Sequence, residues 1–407
     1  MSRFSYKNES RLNVSNLSNE NEDGAPVVSG ISTFSSPNYF VPPSGTTAER
    51  PANPGEGQFR FNTDSGHLEY YNGFLWVNVS TVKRDIGDHN LAAAKSARGT
   101  GTRGIFCNGN TPADGTNHID YITIPTFGNA QDFGDANTST GTAGGACSDG
   151  VKAVFAGGYG TGGGGRQNVI QFVIMSSTGL VGDFGDLKGP TGDSGKRGNV
   201  NTLSNSTRGL FAGGSTPTSP SKTNAIDLIT IQSNGNSTDF GDISEGACSG
   251  GGSMSSSVRG VICLGNVSGR VSTIEYVTIS TQGNGQVFGD LTQSKNGNAC
   301  FSNSTRGISC GGEAPGDTDV IEFITIASTG NGQDFGDLAN GAVTNNQGGG
   351  TCNSTRGVIG GGRRSSSKIN EISALQIQTT GNSLDFGDLS NAARDHIAAT
   401  SNGHGGL

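Results

Sequence analysis

Paired aspartates are the residues of this chain best placed to do chemistry. The tetrad Asp85-Ile86-Gly87-Asp88 returns as Asp132-Phe133-Gly134-Asp135, Asp183-Phe184-Gly185-Asp186, Asp239-Phe240-Gly241-Asp242, Val287-Phe288-Gly289-Asp290, Asp334-Phe335-Gly336-Asp337 and Asp385-Phe386-Gly387-Asp388. Carboxylates around a glycine turn are what calcium sites use. The architectural reading is that each Asp caps a turn or pairs with a neighbouring Arg while Gly supplies a positive φ. A binding site is normally singular, whereas the last aspartates recur at intervals of 47, 51, 56, 48, 47 and 51 residues. Architecture is therefore the expected role, and no metal is assigned. In its sharper form this reading pairs Asp135, Asp186, Asp242, Asp290, Asp337 or Asp388 with Arg103, Arg208, Arg259, Arg306 or Arg356, at carboxylate–guanidinium distances within about 4 Å.

Other constellations are weaker. Gly158-Tyr159-Gly160-Thr161-Gly162-Gly163 matches a dinucleotide fingerprint literally, but a glycine run and a strand follow where a helix is required. Thr191-Gly192-Asp193-Ser194-Gly195-Lys196 resembles a phosphate loop, yet Pro190 stands at the first glycine position and Arg197 follows the lysine. The stretch Gly189–Arg197 makes three Gly-X-Y triplets, too few for a collagen helix. His67, His89, His118, His396 and His404 lack metal-ligand spacing. Seven cysteines, an odd number with no CxxC pair, argue against a disulfide framework and a zinc site. They recur in register with the repeat, as small buried thiols would. No cofactor is expected and no catalytic residue is assigned, so the chain is read as a non-enzyme.

The elements that must position these residues follow from composition. Of 407 residues 69 are Gly, against about 7% in an average protein, while only 31% are hydrophobic and 15% charged. Helices penalise Gly by about 1 kcal/mol per residue, so many short strands joined by tight turns are expected. The net charge of −8 provides no field for nucleic acid. Without an apolar run of 18 residues no membrane insertion is expected. The opening Met1-Ser2-Arg3-Phe4-Ser5-Tyr6 has no apolar region of a secretory signal, and synthesis in a reducing cytoplasm is expected.

Each tetrad but the first follows an apolar hexamer: Ile119–Ile124, Ile170–Met175, Ile226–Ile231, Ile274–Ile279, Ile321–Ile326 and Ile372–Ile377. The last hexamer residue always lies 11 positions before the final Asp, which implies a hairpin of fixed register. Upstream stand Arg-Gly and an apolar pair, at Arg103, Arg208, Arg259, Arg306 and Arg356, with Lys152-Ala153 replacing them once. A small-residue segment such as Leu91–Ala94 or Ala398–Thr400 precedes those. Four short strands per unit of about 50 residues define a β-propeller blade, which completes its core only against its neighbours.

The order of these signals resembles the kelch repeat, and Leu389-Ser390-Asn391-Ala392-Ala393-Arg394-Asp395-His396 looks like a kelch blade junction. Phe133, Phe184, Phe240, Phe288, Phe335 and Phe386 stand where kelch blades usually carry Trp. The expected fold is all-β: a kelch-like propeller over residues 81–407, preceded by an extended arm (1–43) and a small β module (44–80). Six units are complete. The leftover tetrad at Asp85–Asp88 and leftover strand at Asp395–Thr400, with Phe74–Val79 as a third strand, favour a seventh blade, with six as the fallback.

The module carries Ala48-Glu49-Arg50-Pro51-Ala52-Asn53-Pro54, Phe59-Arg60-Phe61-Asn62-Thr63-Asp64 and Leu68-Glu69-Tyr70-Tyr71-Asn72-Gly73 with Trp76. It resembles a β module of tailed-phage virion proteins, notably tail fibres of marine cyanophages, with turns at Asn62–Gly66 and Asn72-Gly73. Trp76 cannot serve both this module and a seventh blade. The resemblance implies a virion protein assembled in the host cytoplasm, attached to other virion proteins through residues 1–80 and present in multiple copies.

Loop lengths point to function. The hexamer-to-tetrad spacing is constant, but Arg-to-hexamer and tetrad-to-Arg spacings vary, and both variable sets emerge on one face of the disc. Variable loops tend to carry recognition. This face includes Asn108–Asn117, Gly157–Asn168, Ser215–Asn224, Gly265–Ser272, Glu313–Thr318 and Arg363–Lys368. Its expected partner is a host-surface glycan or outer-membrane receptor. Rival readings are a purely architectural capsid, tail or baseplate decoration and a glycan-cleaving propeller.

Overall fold

The structure, a computed structural model, describes residues 42–79, 102–137, 140–142, 144–160, 164–179, 181–189, 194–341, 343 and 349–407. The chain divides into two compact units, residues 1–84 and 85–407.

In the first unit Phe59–Asn62, His67–Tyr71 and Trp76–Asn78 form an antiparallel meander, and Ser44–Gly45 pairs parallel to the first of them. Both turns fall where the sequence places them. Asn62 Oδ1 accepts from the Asp64 and Ser65 amides, and Asn72 Oδ1 from those of Phe74 and Leu75. These Asx contacts tighten the turns while Gly66 and Gly73 take the positive φ. Trp76 pairs with Tyr71 here, so the expectation that Phe74–Val79 supplies a strand to a seventh repeat is corrected.

The second unit contains six four-stranded antiparallel sheets among the described residues. Sheet 1 runs, from inner to outer strand, Ala398–Ser401, Arg103–Cys107, His118–Thr123 and Gln131–Asp135. Sheet 2 comprises Gly145–Ser148, Lys152–Ala156, Val169–Ile174 and Val181–Asp186; sheet 3 Asn201–Ser204, Arg208–Ala212, Ala225–Thr230 and Thr238–Asp242. Sheet 4 comprises Ser253–Ser255, Arg259–Cys263, Thr273–Thr278 and Gln286–Asp290; sheet 5 Ala299–Ser302, Arg306–Cys310, Val320–Thr325 and Gln333–Asp337. Sheet 6 comprises Gly350–Cys352, Arg356–Gly360, Glu371–Gln376 and Leu384–Asp388. The leftover strand placed above at Asp395–Thr400 and assigned to a seventh repeat forms as Ala398–Ser401 and pairs instead with Arg103–Cys107. The tetrad Asp85–Asp88 and the segment Leu91–Ala94 lie outside the described residues.

Apolar packing joins sheets rather than filling them. One buried cluster contains Ile105 and Phe133 of sheet 1 with Phe155 and Val173 of sheet 2. Equivalent clusters join sheets 2 and 3, 3 and 4, 4 and 5, and 5 and 6. Another joins Phe386 and Val358 of sheet 6 to Phe106 and Ile122 of sheet 1. Inner strands adjoin in the same order, and that of sheet 1 lies beside those of both sheet 6 and sheet 2. Their last residues exchange hydrogen bonds. Ser204 Oγ donates to Ser148 O (3.0 Å), Ser148 Oγ to Ser401 O (2.5 Å), and Ser401 Oγ to Cys352 O. Cys352 Sγ reaches Ser302 O (3.0 Å) and Ser302 Oγ reaches Ser255 O (2.8 Å).

Candidate functional site

The repeated tetrad is a junction. In all six sheets the pairing of third and outer strands shifts by one residue at Phe133, Phe184, Phe240, Phe288, Phe335 or Phe386, a β-bulge. The bulge turns the phenylalanine into the core, where each is at most 3% exposed. It also presses the following glycine against a turn of the next sheet. The Phe335 carbonyl accepts the Gly381 amide (2.7 Å), and the Asp337 amide donates to Asn382 Oδ1 (3.0 Å). The backbone contact repeats at all six junctions, ending with Gly128 on Phe386, and the asparagine contact at five.

Gly336 has φ +145°, and a Cβ there would lie 2.6 Å from the backbone of Gly381. Gly336→Ala is expected to destabilise the unit by about 2 kcal/mol, whereas exposed Asp337→Asn should stay within about 0.5 kcal/mol; denaturant unfolding of the two variants checks this contrast. The aspartate side chains Asp132 and Asp135 are mostly exposed. No group of three His, Cys, Asp or Glu with metal-binding geometry occurs among the described residues.

The expected pairing of these aspartates with arginines is corrected. Arg103, Arg208, Arg259, Arg306 and Arg356 donate through Nη1 to the carbonyls of Met175, Ile279, Ile326, Ile377 and Ile124, each in the next sheet, at 2.6–3.0 Å. A guanidinium there satisfies a carbonyl left unpaired just past a strand end, a need that neutral backbone creates in every repeat. The same heads stack on aromatic rings: Arg103 on Tyr121 (4.5 Å), Arg259 on Tyr276 (4.3 Å) and Arg306 on Phe323 (4.2 Å). Lys152 covers Phe172 at 4.5 Å. The glycine after the arginine admits an inner-strand side chain of the preceding sheet. A Cβ at Gly357 would lie 1.9 Å from the Phe301 ring, and one at Gly260 2.2 Å from Leu203.

Sheet 6 departs from this pattern. Ala374 occupies the register position of Tyr121, Phe172, Tyr276 and Phe323. Phe127, from a turn of sheet 1, takes over both contacts, 5.3 Å from Phe386 and 4.5 Å beneath Arg356. Ala374→Phe should therefore cost about 1–3 kcal/mol through overpacking. Adding Phe127→Thr should recover more than 1 kcal/mol of that loss, a coupling that a double-mutant cycle measures.

Sequence reasoning missed a set of buried charges. The second hexamer residue is buried as Asp120, Asp227, Glu275 and Glu322. Arg394 Nη2 meets Asp120 Oδ2 at 2.7 Å and Lys295 Nζ meets Glu322 Oε1 at 2.6 Å, all four side chains fully buried; Arg197 pairs likewise with Asp227. Glu275 accepts from Ser244 and the Glu245 amide instead. Each cation lies six residues before the middle of an inner strand, so the pair clips the incoming link to its own sheet. A carboxylate recurring between large apolar residues, as in Ile119-Asp120-Tyr121 and Ile321-Glu322-Phe323, was the available signal. The hydrogen bond to Asp120 raises the pKa of His118 above its ordinary range.

A cavity of about 90 Å³ lies among the inner strands, lined by residues including Gly145, Thr202, Ser253, Thr351 and His404. His404 is held by Nε2–H donation to Ser148 O (3.0 Å), while its Nδ1 accepts the Gly406 amide (3.1 Å). The Gly405 amide donates to Ser302 O at 2.7 Å. Residues 404–406 thereby touch sheets 2, 3 and 5. All seven cysteines are buried and free. Burial pushes the thiols of Cys107, Cys147, Cys248, Cys310 and Cys352 well up, away from nucleophilic thiolate.

The loops of variable length are tied across sheets. Tyr159 OH and Ser215 Oγ are 2.6 Å apart, Lys222 Nζ donates to Asn266 Oδ1 (2.6 Å), and Arg270 Nε to Asn296 Oδ1 (3.2 Å). Lys368 Nζ reaches the Thr111 carbonyl at 2.5 Å. Side chains from neighbouring repeats thus hold one another in a polar layer. No protein-family model and no curated protein matches the chain.

Proposed function

We propose that residues 85–407 form a kelch-like β-propeller of six blades, carried by a tailed-phage virion protein and used to recognise the host surface. Ring closure is supported by the serine and cysteine hydrogen bonds that run from Ser204 through Ser148, Ser401, Cys352 and Ser302 to Ser255, and by the apolar cluster joining sheet 6 to sheet 1. The virion assignment rests on the resemblance of residues 44–80 to a phage β module. Residues 1–80 would attach the chain to other virion proteins, and no reaction, cofactor or nucleic acid is required.

The observation that carries the recognition reading is the cross-tied loop layer. Loops fixed by their neighbours lose little further entropy on binding, and their Ser, Thr, Asn and Lys groups suit a hydroxyl-rich glycan or polar receptor surface. Many copies on one particle would turn weak single contacts into firm attachment. The purified protein should bind host cells and reduce infection when added in excess. Normal adsorption by particles lacking residues 81–407 would instead favour an architectural decoration.

A further inference from the structure

Residues 402–407 continue past the inner strand of sheet 1 and cross the ends of other inner strands. Asn402 is the anchor. Its amide donates to Arg103 O (3.1 Å) and its Oδ1 accepts the Arg103 amide (2.9 Å), which prolongs the ladder of sheet 1. After Gly403 the contacts change character. His404 Nε2 meets Ser148 O of sheet 2, and the Gly405 amide meets Ser302 O of sheet 5. The next two glycines lie flat on neighbouring backbone: a Cβ at Gly405 would come 2.1 Å from Asn303 O, and one at Gly406 1.8 Å from Ser204 O. Asn402–Gly406 contains no apolar side chain, so hydrogen bonds and close backbone fit hold it down. His404 also lines the cavity of about 90 Å³, together with Ser204, Ser255 and Ser302.

We propose that residues 403–407 are an acid-released lid: hinged at Gly403, they leave the inner strands as one piece and open the cavity to solvent while all six sheets stay paired. Segments with few apolar contacts and no place in a ladder open at the lowest free energy of a fold, and glycine gives the hinge its backbone freedom. The latch is His404. Its Nε2 directs the single N–H of a neutral imidazole at Ser148 O, while its Nδ1 lone pair accepts the Gly406 amide. A proton arriving at Nδ1 sets N–H against N–H and breaks the Gly406 contact. Burial opposes that proton and holds the pKa down at about 4. Asp149, just past the inner strand of sheet 2, is the charge that favours it. Sheets 3, 4 and 5 present the neutral Ser204, Ser255, Ser302 and Asn303, and sheet 6 the buried Cys352 thiol. Once released, His404 titrates near its ordinary 6.5, so the open form binds the extra proton and falling pH favours it. The proposal does not depend on host recognition.

Amide hydrogen exchange of the full chain, resolved residue by residue, tests this. The Gly405 and Gly406 amides should be at least about tenfold less protected than those of Ala398–Ser401. Corrected for intrinsic exchange, their protection should fall roughly 70-fold between about pH 7.5 and 4.5. In His404→Asn that fall should vanish. Gly406→Val should unseat the lid at both pH values, leaving Gly405 unprotected while circular dichroism keeps its sheet signal and Arg103–Cys107 stay protected. Equal protection of Gly405 and Ala398–Ser401, a pH response that survives His404→Asn, or a Gly406→Val chain that loses its sheets along with its lid would each overturn the proposal.

Discussion

Lys295→Ala is expected to destabilise the six-sheet unit by about 3–5 kcal/mol, because it strands the fully buried Glu322 carboxylate without a cation. Glu322 Oε2 also accepts the Thr292 amide at 2.6 Å, so the charge is held in place and cannot turn to water. Replacing both partners with neutral residues of similar shape, Lys295→Met with Glu322→Gln, should recover most of the loss, since the desolvation penalty of both ions disappears together. Denaturant unfolding of the single and double variants checks the sign. A single variant within about 1 kcal/mol of the parent would mean that the pair is solvated in solution. The same reasoning applies to Arg394 and Asp120, with one addition: Arg394 stands just ahead of Ala398–Ser401. Its loss should loosen the strand that completes sheet 1, so exchange protection should fall first along Arg103–Cys107.

The second large effect is acid sensitivity centred on His404. Burial drives its pKa down to about 4 from an ordinary value near 6.5. Geometry acts in the same direction, because Nδ1 already accepts the Gly406 amide and a proton there would face another N–H. Between these two pH values the unfolded chain binds a proton that the folded unit refuses. Stability is therefore complete above about pH 6.5, falls as pH drops, and levels off below about pH 4. Two and a half pKa units correspond to roughly 3 kcal/mol. His118, raised by Asp120, acts in the opposite sense: its contribution is present below about pH 6.5 and is lost as pH rises through its folded value. Comparing the unaltered chain with His404→Asn removes this and other shared titrations. The variant should lose most of the slope between pH 6.5 and 4; parallel curves would show that residues 404–406 leave the inner strands in solution.

Much of this architecture is written locally. The 11-residue spacing between hexamer and final aspartate corresponds to a hairpin with one bulged residue, and the bulge falls on the phenylalanine of every described tetrad. The Gly-Asn pairs at Gly128, Gly235, Gly283, Gly330 and Gly381 were equally visible as a repeat. Their role as the docking surface for the preceding sheet was not, since nothing in one repeat says which neighbour its turns will meet.

Strand identity, register, turn positions and the burial of the tetrad phenylalanines were thus determined by the sequence alone, because side-chain alternation and glycine placement act within a few residues. Tertiary structure decided the rest. The arginines look like partners for the abundant aspartates until the next sheet presents a bare carbonyl and an aromatic ring at closer range. The strand Ala398–Ser401 looks like a leftover until it pairs with a strand nearly three hundred residues earlier. Asp120 and Glu322 look like surface charges until Arg394 and Lys295 are folded over them. Alternation records which face of a strand is turned inward; only the assembled neighbours determine what that face will touch.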